Sequence, residues 1–373
     1  MSFIRDNIAK ILIFIGVLII SIIIFSLVFK GTGTKKNITY SNMEDNLLNA
    51  AIKYTKANPK LLPKTEEESN KVNLDTLVNS KYIKELSALE DENVKCTGYV
   101  ELLYKNEKNL YVPYLKCGKY YETKTIADYI ISNEQVVTSG DGLYKYNDTY
   151  IFRGENPKNY IQVGDKIYRI MQISENGEVR LISSKKLNYY FVWDDRYNTT
   201  KDSTTGINEY SKSRLKDSLE FIVENNSTIE DDENYYFSSQ EMDKIIPHDV
   251  CVAKRSSMNG VIDSSTDCQV IEKDQKISLI TISDYAKTSL DPNCRTVFDK
   301  SCMNYNYLSQ LSDTFRTVTA TLENSYQVYY IYEGYAQLTR ASNPFRANIV
   351  IYIDKLSLYN SGDGSFEKPY TIR

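Results

Sequence analysis

The pattern of hydrophobic and polar residues divides the chain into an apolar N-terminal stretch and a longer remainder in which the two kinds of residue alternate. Residues 11–29 read ILIFIGVLIISIIIFSLVF, an uncharged stretch between Lys10 and Lys30. A helix of this length rises about 28 Å, close to the thickness of the hydrocarbon core of a bilayer. The pattern predicts a single transmembrane helix within residues 1–36, with a cytoplasmic start. A cleaved signal peptide is the alternative, because Gly31 and Gly33 offer a weak cleavage site.

Residues 37–136 are predicted to form a small α+β domain. Ser41 and Glu44 match a capping box, and apolar residues follow at helical spacing until Pro59. The segment VNLDTLVNSKYIKEL predicts a short second helix. Alternation then predicts a hairpin of strands 97–104 and 110–116 around the turn KNEKN. The segment YETKTIADYIISNEQV is expected to close this domain.

Residues 143–373 are predicted to form a second domain, because Gly and Asp turn signals within 137–148 suggest a boundary. Short alternating strands follow, and Asn176-Gly177 between KIYRIMQIS and EVRLISS indicates a hairpin. Residues 210–225 are amphipathic and predict a helix, and residues 277–289 predict a buried strand that runs into a helix or turn. The fold class expected for the whole chain is therefore α+β.

The net charge and the cysteine content limit which partners the protein can bind and which cellular compartment it can occupy. The net charge of −4 argues against a nucleic-acid partner, which usually selects a basic surface. A zinc site is not expected, because the chain has a single histidine and no C-x-x-C spacing. If the chain beyond residue 30 lies outside the cell, the simplest interpretation is three disulfides between sequence neighbours. Buried free thiols remain the alternative. The cysteines concerned are Cys96, Cys117, Cys251, Cys268, Cys294 and Cys302.

The first part of the chain resembles pilin- and pseudopilin-like surface proteins of low-GC Gram-positive bacteria. The resemblance covers about residues 8–125 and lies in the apolar helix, AAIKYTKANPKLLP, VNLDTLVNSKYIKEL, CTGYVELL and PYLKCGKYY. It implies a long N-terminal helix packed on a small, disulfide-clamped antiparallel sheet, and it implies self-association through that helix. A prepilin processing site is missing from MSFIRDNIAKILIF.

The second part, about residues 143–373, resembles an uncharacterised extracellular domain of Firmicutes. The ordered segments are IYRIMQISENGEVRLISS, YSKSRLKDSLEFIVEN, ISLITISDYAKTS, CMNYNYL, TFRTVTATL, ANIVIYI and GDGSFEKPYTI. That domain is similar to the C-type-lectin-like fold shared with formylglycine-generating-enzyme-type modules. The resemblance implies a mixed α+β domain that displays variable loops for recognition.

A candidate binding surface lies in YFVWDDRYN, which holds the single tryptophan of the chain. Aromatic rings beside polar groups suit binding surfaces, including stacking on sugars. A tryptophan packed on the core, followed by solvated acids, is the competing interpretation. The candidate ligand-binding residues are Trp193, Asp194, Asp195, Arg196 and Tyr197.

Support for metal binding or catalysis is thin. A lectin-type calcium site would need carboxylate and amide oxygens of the kind in Asp291-Pro292-Asn293 and Trp193-Asp194-Asp195, but these tripeptides stand in the wrong order. Asp363 and Glu367 in GDGSFEKPY favour a turn over a calcium site. His248 would be the base of any Ser-His or Cys-His pair. No catalytic residue, metal or cofactor is therefore predicted.

The sequence as a whole predicts a single-pass membrane protein with most of its chain outside the cell. Its expected role is extracellular recognition or adhesion, with a protein or glycan as the ligand. Two alternatives stay open: a pseudopilin-like structural subunit of a secretion, uptake or surface filament, and an enzyme of the cell envelope.

Overall fold

The structure is a computed structural model that describes residues 39–105, 107–224 and 237–373. It divides into two compact units, unit 1 ending at Glu122 and unit 2 spanning Thr123–Arg373. Both are mixed α+β, with mostly sheet and few helices. The predicted cytoplasmic start and the predicted transmembrane helix 11–29 lie outside the described residues. Within the described ranges, no helix has the length and apolar character needed to cross a membrane.

The described residues of unit 1 form two α-helices, a short 3₁₀ helix at Pro59–Leu61 and an antiparallel sheet with the strand order β1-β2-β3-β4. The predicted hairpin is confirmed: β2 and β3 pair from Thr97↔Lys116 to Lys105↔Lys108. The apolar face of α1 packs into the same core as the sheet, with Leu47 and Ala51 fully buried beside Val100. The elements are α1 Tyr40–Ala57, β1 Ser69–Asn73, α2 Leu74–Asn79, β2 Thr97–Lys105, β3 Lys108–Cys117 and β4 Tyr121–Glu122.

The start of α1 differs from the predicted capping box. The N-cap is Thr39, whose side chain accepts a hydrogen bond from the Asn42 backbone, while the Asn42 side chain accepts one from the Thr39 backbone. Glu44 is buried instead and accepts a hydrogen bond from the Tyr121 hydroxyl at 3.0 Å. A second, equally local cap two residues upstream therefore begins the helix.

The boundary between the units lies after Glu122 and not within 137–148. Most of the segment that was expected to close the first domain, including α3 Ile126–Asn133, belongs to unit 2, where Ile126 and Ile130 join the large core. The Ile126 amide donates to the carbonyl of Ser357 at 2.8 Å. The Gly and Asp residues of 137–148 instead lead into a hairpin, so a tight turn produced the signal that was interpreted as a domain boundary.

Over the residues that the structure describes, the main sheet of unit 2 has nine strands and is almost entirely antiparallel. Its order is β11-β18-β9-β8-β7-β20-β19, with β6 also paired to β8 and β5 paired to β6. The predicted hairpin of β8 and β9 is confirmed, and Gly177 in its turn has φ +86°, a conformation that glycine adopts without strain. The strands are β5 Gly142–Tyr146, β6 Thr149–Arg153, β7 Tyr160–Val163, β8 Lys166–Ile173, β9 Val179–Ser183, β11 Ile245–Ile246, β18 Val350–Ile353, β19 Tyr359–Ser361 and β20 Tyr370–Ile372.

Smaller sheets and short helices complete unit 2. The pair β12–β13 and the trio β14-β15-β16 form separate sheets, as does the pair β10–β17. The predicted amphipathic helix is present as α4, with Leu215, Leu219 and Ile222 buried. The elements are β10 Phe191–Val192, α4 Arg214–Glu224, α5 Ser239–Met242, β12 His248–Cys251, α6 Ser264–Asp267, β13 Ile271–Gln275, α7 Ile282–Lys287, α8 Tyr307–Leu311, β14 Thr314–Ala320, β15 Gln327–Tyr332, β16 Tyr335–Arg340 and β17 Pro344–Phe345.

The six cysteines pair between sequence neighbours. Unit 1 holds the bond Cys96–Cys117, which joins the start of β2 to the end of β3. Unit 2 holds Cys251–Cys268 and Cys294–Cys302, and no cysteine is free. The expectation of three disulfides therefore agrees with the structure, and all six sulfurs are covalently occupied and cannot serve as metal ligands.

Candidate functional site

Unit 2 contains a cleft of about 620 Å³ between its main sheet and the segment that follows β12. One wall is formed by the β5–β6 hairpin with β8 and β9, and the other by β12, α6 and residues 278–289. Its volume is in the range of pockets that enclose a small ligand. We refer to this cavity as the cleft.

Covalent bonds fix the wall that β12 and its neighbours form. Cys251 and Cys268 line the cleft and are joined to each other, and Cys294 lines it and is joined to Cys302. The first bond ties the end of β12 to the residue after α6, across a sequence separation of 17. The loops of this wall therefore have little freedom to collapse into the cavity.

A buried ion pair connects the two walls. Two guanidinium nitrogens of Arg180 on β9 donate to the two carboxylate oxygens of Asp284 on α7, each at 2.7 Å. Asp284 also accepts from the Thr281 amide at 2.8 Å, which completes the cap of α7. Burial alone would raise the pKa of Asp284, but the adjacent Arg180 guanidinium holds it below its ordinary value. This carboxyl group therefore stays ionised and bound to the arginine.

His248, the single histidine of the chain, also lines the cleft. Its ring stacks on Tyr352 with 3.6 Å between ring centroids, and its Nδ1 lies 3.5 Å from Glu178 Oε2. Burial lowers the pKa of His248, and Glu178 opposes that shift. Among the hydrogen bonds of the described residues, none joins this imidazole to a serine or threonine hydroxyl. A nucleophile activated by His248 is therefore not assembled in this structure.

Asp267, at the end of α6, is a buried carboxyl group in the cleft wall. Its Oδ1 lies 3.4 Å from Nε of Arg255, and both side chains are almost fully buried. Burial raises the pKa of Asp267 to about 6. The carboxyl group therefore changes its charge in a mildly acidic medium.

Stability should respond to this group in a defined direction. The folded form binds the Asp267 proton more tightly than an unfolded carboxyl group with its ordinary pKa of 3.8. The stabilising contribution is therefore full below about pH 4 and is lost as the pH rises through about 6. We expect the native chain to lose on the order of 3 kcal/mol of unfolding free energy, relative to Asp267→Asn, between pH 4 and pH 7.

Urea unfolding at several pH values, followed by fluorescence of the buried Trp193, measures this difference. Asp263→Asn is the matched control, since Asp263 is exposed and its hydrogen bonds with Ser265 lower its pKa. Parallel stability curves for the native chain and Asp267→Asn would contradict the expected titration.

The predicted ligand-binding segment lies elsewhere in unit 2 and is largely structural. Trp193 is fully buried, and its Nε1 donates to the Thr317 carbonyl at 3.2 Å. Asp194 is also buried and accepts from the Arg196 backbone at 3.0 Å and from its Nε at 2.9 Å. The prediction that Trp193 and Asp194 contact a ligand is therefore wrong, because the ring and the carboxylate have no surface to offer.

The remaining residues of that segment are accessible but do not form a site with them. Asp195 pairs with Arg214 at 2.7 Å on the surface. Arg196 is held against Asp194, and the exposed Tyr197 donates to Asp202. None of these five residues lines the cleft. The polar groups of Asp195, Arg196 and Tyr197 are therefore engaged in local ion pairs and hydrogen bonds.

The acidic side chains that were considered as calcium ligands are also engaged in local hydrogen bonds. Asp291 accepts from the Asn293 amide at 2.8 Å and from the Asn304 side chain at 2.6 Å. Asp363 accepts from the Ser365 amide at 3.0 Å, as expected for a turn. Across the described ranges, no group of three His, Cys, Asp or Glu residues is arranged to hold a metal ion.

The sequence interpretation missed the cleft as a site, although His248 was singled out and Cys251, Cys268 and Cys294 were predicted to be bonded. Arg180 and Asp284 are separated by 104 residues and belong to no motif. The one local signal was the capping sequence Thr281-Ile-Ser-Asp284, which indicates the start of a helix but not its partner. Comparison with protein-family models, with curated proteins and with solved structures found no match for the chain.

Proposed function

We propose that the protein is a recognition protein of the bacterial surface that binds its ligand in the cleft of unit 2. The observation that carries this proposal is the cleft itself, a preformed cavity of about 620 Å³ whose walls are tied by disulfides and by the Arg180–Asp284 pair. A rigid cavity loses little conformational entropy when a ligand binds, which favours affinity.

The three disulfides are typical of an extracellular or secreted protein. We further propose that residues 11–29 anchor the chain as a single membrane helix. In this proposal unit 1 is the pilin-like domain and unit 2 is the C-type-lectin-like domain. The ligand is an extracellular protein or glycan, and it is bound without being chemically changed.

The ion pairs of the cleft support binding over catalysis. Asp284 is engaged by Arg180 and by the cap of α7, so it is poorly placed to accept a proton from a substrate. A cell-envelope enzyme is nevertheless the second candidate. It is favoured by one observation, that His248 and the high-pKa carboxyl group of Asp267 line the same cavity.

Binding of the full chain, in detergent micelles, to an array of surface glycans and proteins tests the proposal. Thr149→Trp places a large ring at the cleft wall and should weaken binding at least about tenfold by excluding the ligand. The residue begins β6, where an aromatic side chain suits the strand. Ser361→Trp is the matched control, because Ser361 is exposed and lies outside the cleft.

The outcomes separate the two candidate functions. A ligand that Thr149→Trp excludes, that Ser361→Trp retains and that is recovered unchanged by mass spectrometry supports recognition. Chemical conversion of the ligand that stops in His248→Ala supports the enzyme instead. A ligand that both tryptophan variants bind as the native chain does would place recognition outside the cleft and contradict the proposal.

A further inference from the structure

Arg153, at the end of β6, presents a fixed guanidinium to the cleft. Its Nη1 donates to the Tyr146 hydroxyl and its Nη2 to the Ser289 carbonyl, each at 2.5 Å. The guanidinium carbon also lies 5.0 Å from the centroid of the Tyr144 ring. Among the ion pairs of the described residues, none includes Arg153. This arginine is therefore oriented by neutral groups, and its positive charge has no carboxylate partner.

Lys287, the last residue of α7, lines the opposite wall of the cleft. Its Nζ donates to the Ser264 hydroxyl at 2.6 Å, and no carboxylate within the described ranges lies in ion-pair distance of it. The chain continues for two residues to Ser289, whose carbonyl holds Arg153, and the Gly154 amide donates to the Thr288 carbonyl at 3.0 Å. These hydrogen bonds join the two walls of the cleft beside Arg153 and just after Lys287, and we refer to this junction as one end of the cleft.

No carboxylate of the described cleft residues forms an ion pair with Arg153 or Lys287, although the charge of Lys287 contributes to lowering the pKa of Asp263 and of Asp284. Asp284 pairs with Arg180, Asp267 with Arg255, and Asp249 with Lys273 at 3.5 Å. The fourth carboxylate, Asp263, accepts from the Ser265 amide at 2.9 Å and from its hydroxyl at 2.6 Å. Asp284, Asp267 and Asp249 are therefore each paired with another cation. Asp263 is hydrogen-bonded to a neighbouring residue of its own loop.

We propose that this end of the cleft is an anion subsite, in which Arg153 and Lys287 bind a carboxylate or phosphate group of the ligand. The proposal rests on the recognition function proposed for the cleft and defines the ligand class as acidic. Arginine suits this task because its planar fork can donate two parallel hydrogen bonds to either group. The bonds to Tyr146 and Ser289 orient the fork before the ligand arrives, while Lys287 adds a second charge on a flexible stem.

Acetate and acetamide test the subsite, because they have the same methyl group and differ in charge. Saturation-transfer difference NMR on the full chain in deuterated detergent should show transfer to the acetate methyl and little transfer to acetamide. Inorganic phosphate should displace acetate, and its own ³¹P line should broaden. Acetate that resists displacement by phosphate assigns the subsite to carboxylates, and stronger binding of phosphate assigns it to phosphorylated ligands.

Variants that remove one positive charge each then test whether the bound acetate lies at Arg153 and Lys287. Arg153→Gln and Lys287→Gln should each weaken acetate binding about tenfold or more, as expected when a charged hydrogen-bond donor is lost. Lys287→Arg keeps the charge and should retain binding. Lys355→Gln is the matched control, since Lys355 is exposed and lies outside the cleft. Thermal unfolding of each variant verifies that it folds.

Three results would overturn the subsite: equal transfer to acetate and acetamide, acetate binding that persists in both glutamine variants, or no acetate transfer in the native chain. These results leave the recognition proposal standing if Thr149→Trp still excludes an array ligand. Conversely, acetate binding that depends on Arg153 and Lys287 supports the subsite even where the array experiment fails. If Arg153→Gln does not fold, the contrast between acetate and acetamide on the native chain and the loss of acetate binding in Lys287→Gln still decide the test.

Discussion

Replacing Arg180 with methionine is expected to lower the unfolding free energy of the protein by about 3 to 5 kcal/mol. The substitution removes both 2.7 Å hydrogen bonds to Asp284 and leaves that carboxylate buried without its counter-charge. Asp284 also takes part in the cap of α7, and α7 lines the cleft. A displacement of this carboxylate should therefore change the position of the cleft wall. We expect the variant to lose ligand binding together with stability.

Two variants test the physical reason for that loss. Arg180→Met combined with Asp284→Leu removes both charges and should recover part of the stability, because an apolar pair of similar size avoids the desolvation of a lone carboxylate. Arg214→Met is the matched control: it breaks the surface pair with Asp195, whose side chains are 57% and 45% exposed, and should cost less than about 1 kcal/mol. Urea unfolding followed by Trp193 fluorescence measures all three. Equal costs for Arg180→Met and Arg214→Met would contradict the role of the buried pair.

Removing the disulfide between β12 and α6 should have a comparable effect. The variant Cys251→Ser with Cys268→Ser frees a loop with a sequence separation of 17 and is expected to destabilise the fold by about 3 kcal/mol. The bond joins the end of β12, the strand that carries His248 and Asp249, to the residue after Asp267 on α6, so the cleft should also lose its shape. Denaturant unfolding and array binding measure the two consequences.

The second disulfide of unit 2 supplies the comparison. Cys294 and Cys302 have a sequence separation of only 8, so the chain-entropy model gives a smaller cost of about 2.5 kcal/mol for Cys294→Ser with Cys302→Ser. A Cys251→Ser, Cys268→Ser variant that unfolds at the native urea concentration and binds the native ligands would refute the structural role of this bond.

Local signals account for the parts of the fold that the sequence predicted. The hairpin of β2 and β3 and the hairpin of β8 and β9 each combine alternation with a turn, and Gly177 supplies the positive φ that the second turn requires. The buried face of α4 follows from helical periodicity. These features depend on residues that are neighbours in sequence, which explains why periodicity is sufficient to find them.

The parts that could not be predicted depend on distant contacts. The segment that contains α3 was expected to belong to the first domain, and only its contact with residues near Ser357 assigns it to unit 2. The cleft brings β6, β9, β12 and α7 together, and its charge pairs, such as Arg180–Asp284, join residues far apart in sequence. The loop after Trp193 looked exposed because it is polar, yet backbone amides of Arg196 and Ile207 satisfy the buried Asp194.

The most direct test of the central claim, that a disulfide-fixed cleft operates outside the cell, is cysteine mapping on protein taken from native cells. Alkylation without reductant, followed by proteolysis and mass spectrometry, should yield the linked peptides Cys96–Cys117, Cys251–Cys268 and Cys294–Cys302 and no alkylated cysteine. Alkylation of all six cysteines in the native material would contradict both the extracytoplasmic location and the fixed walls of the cleft.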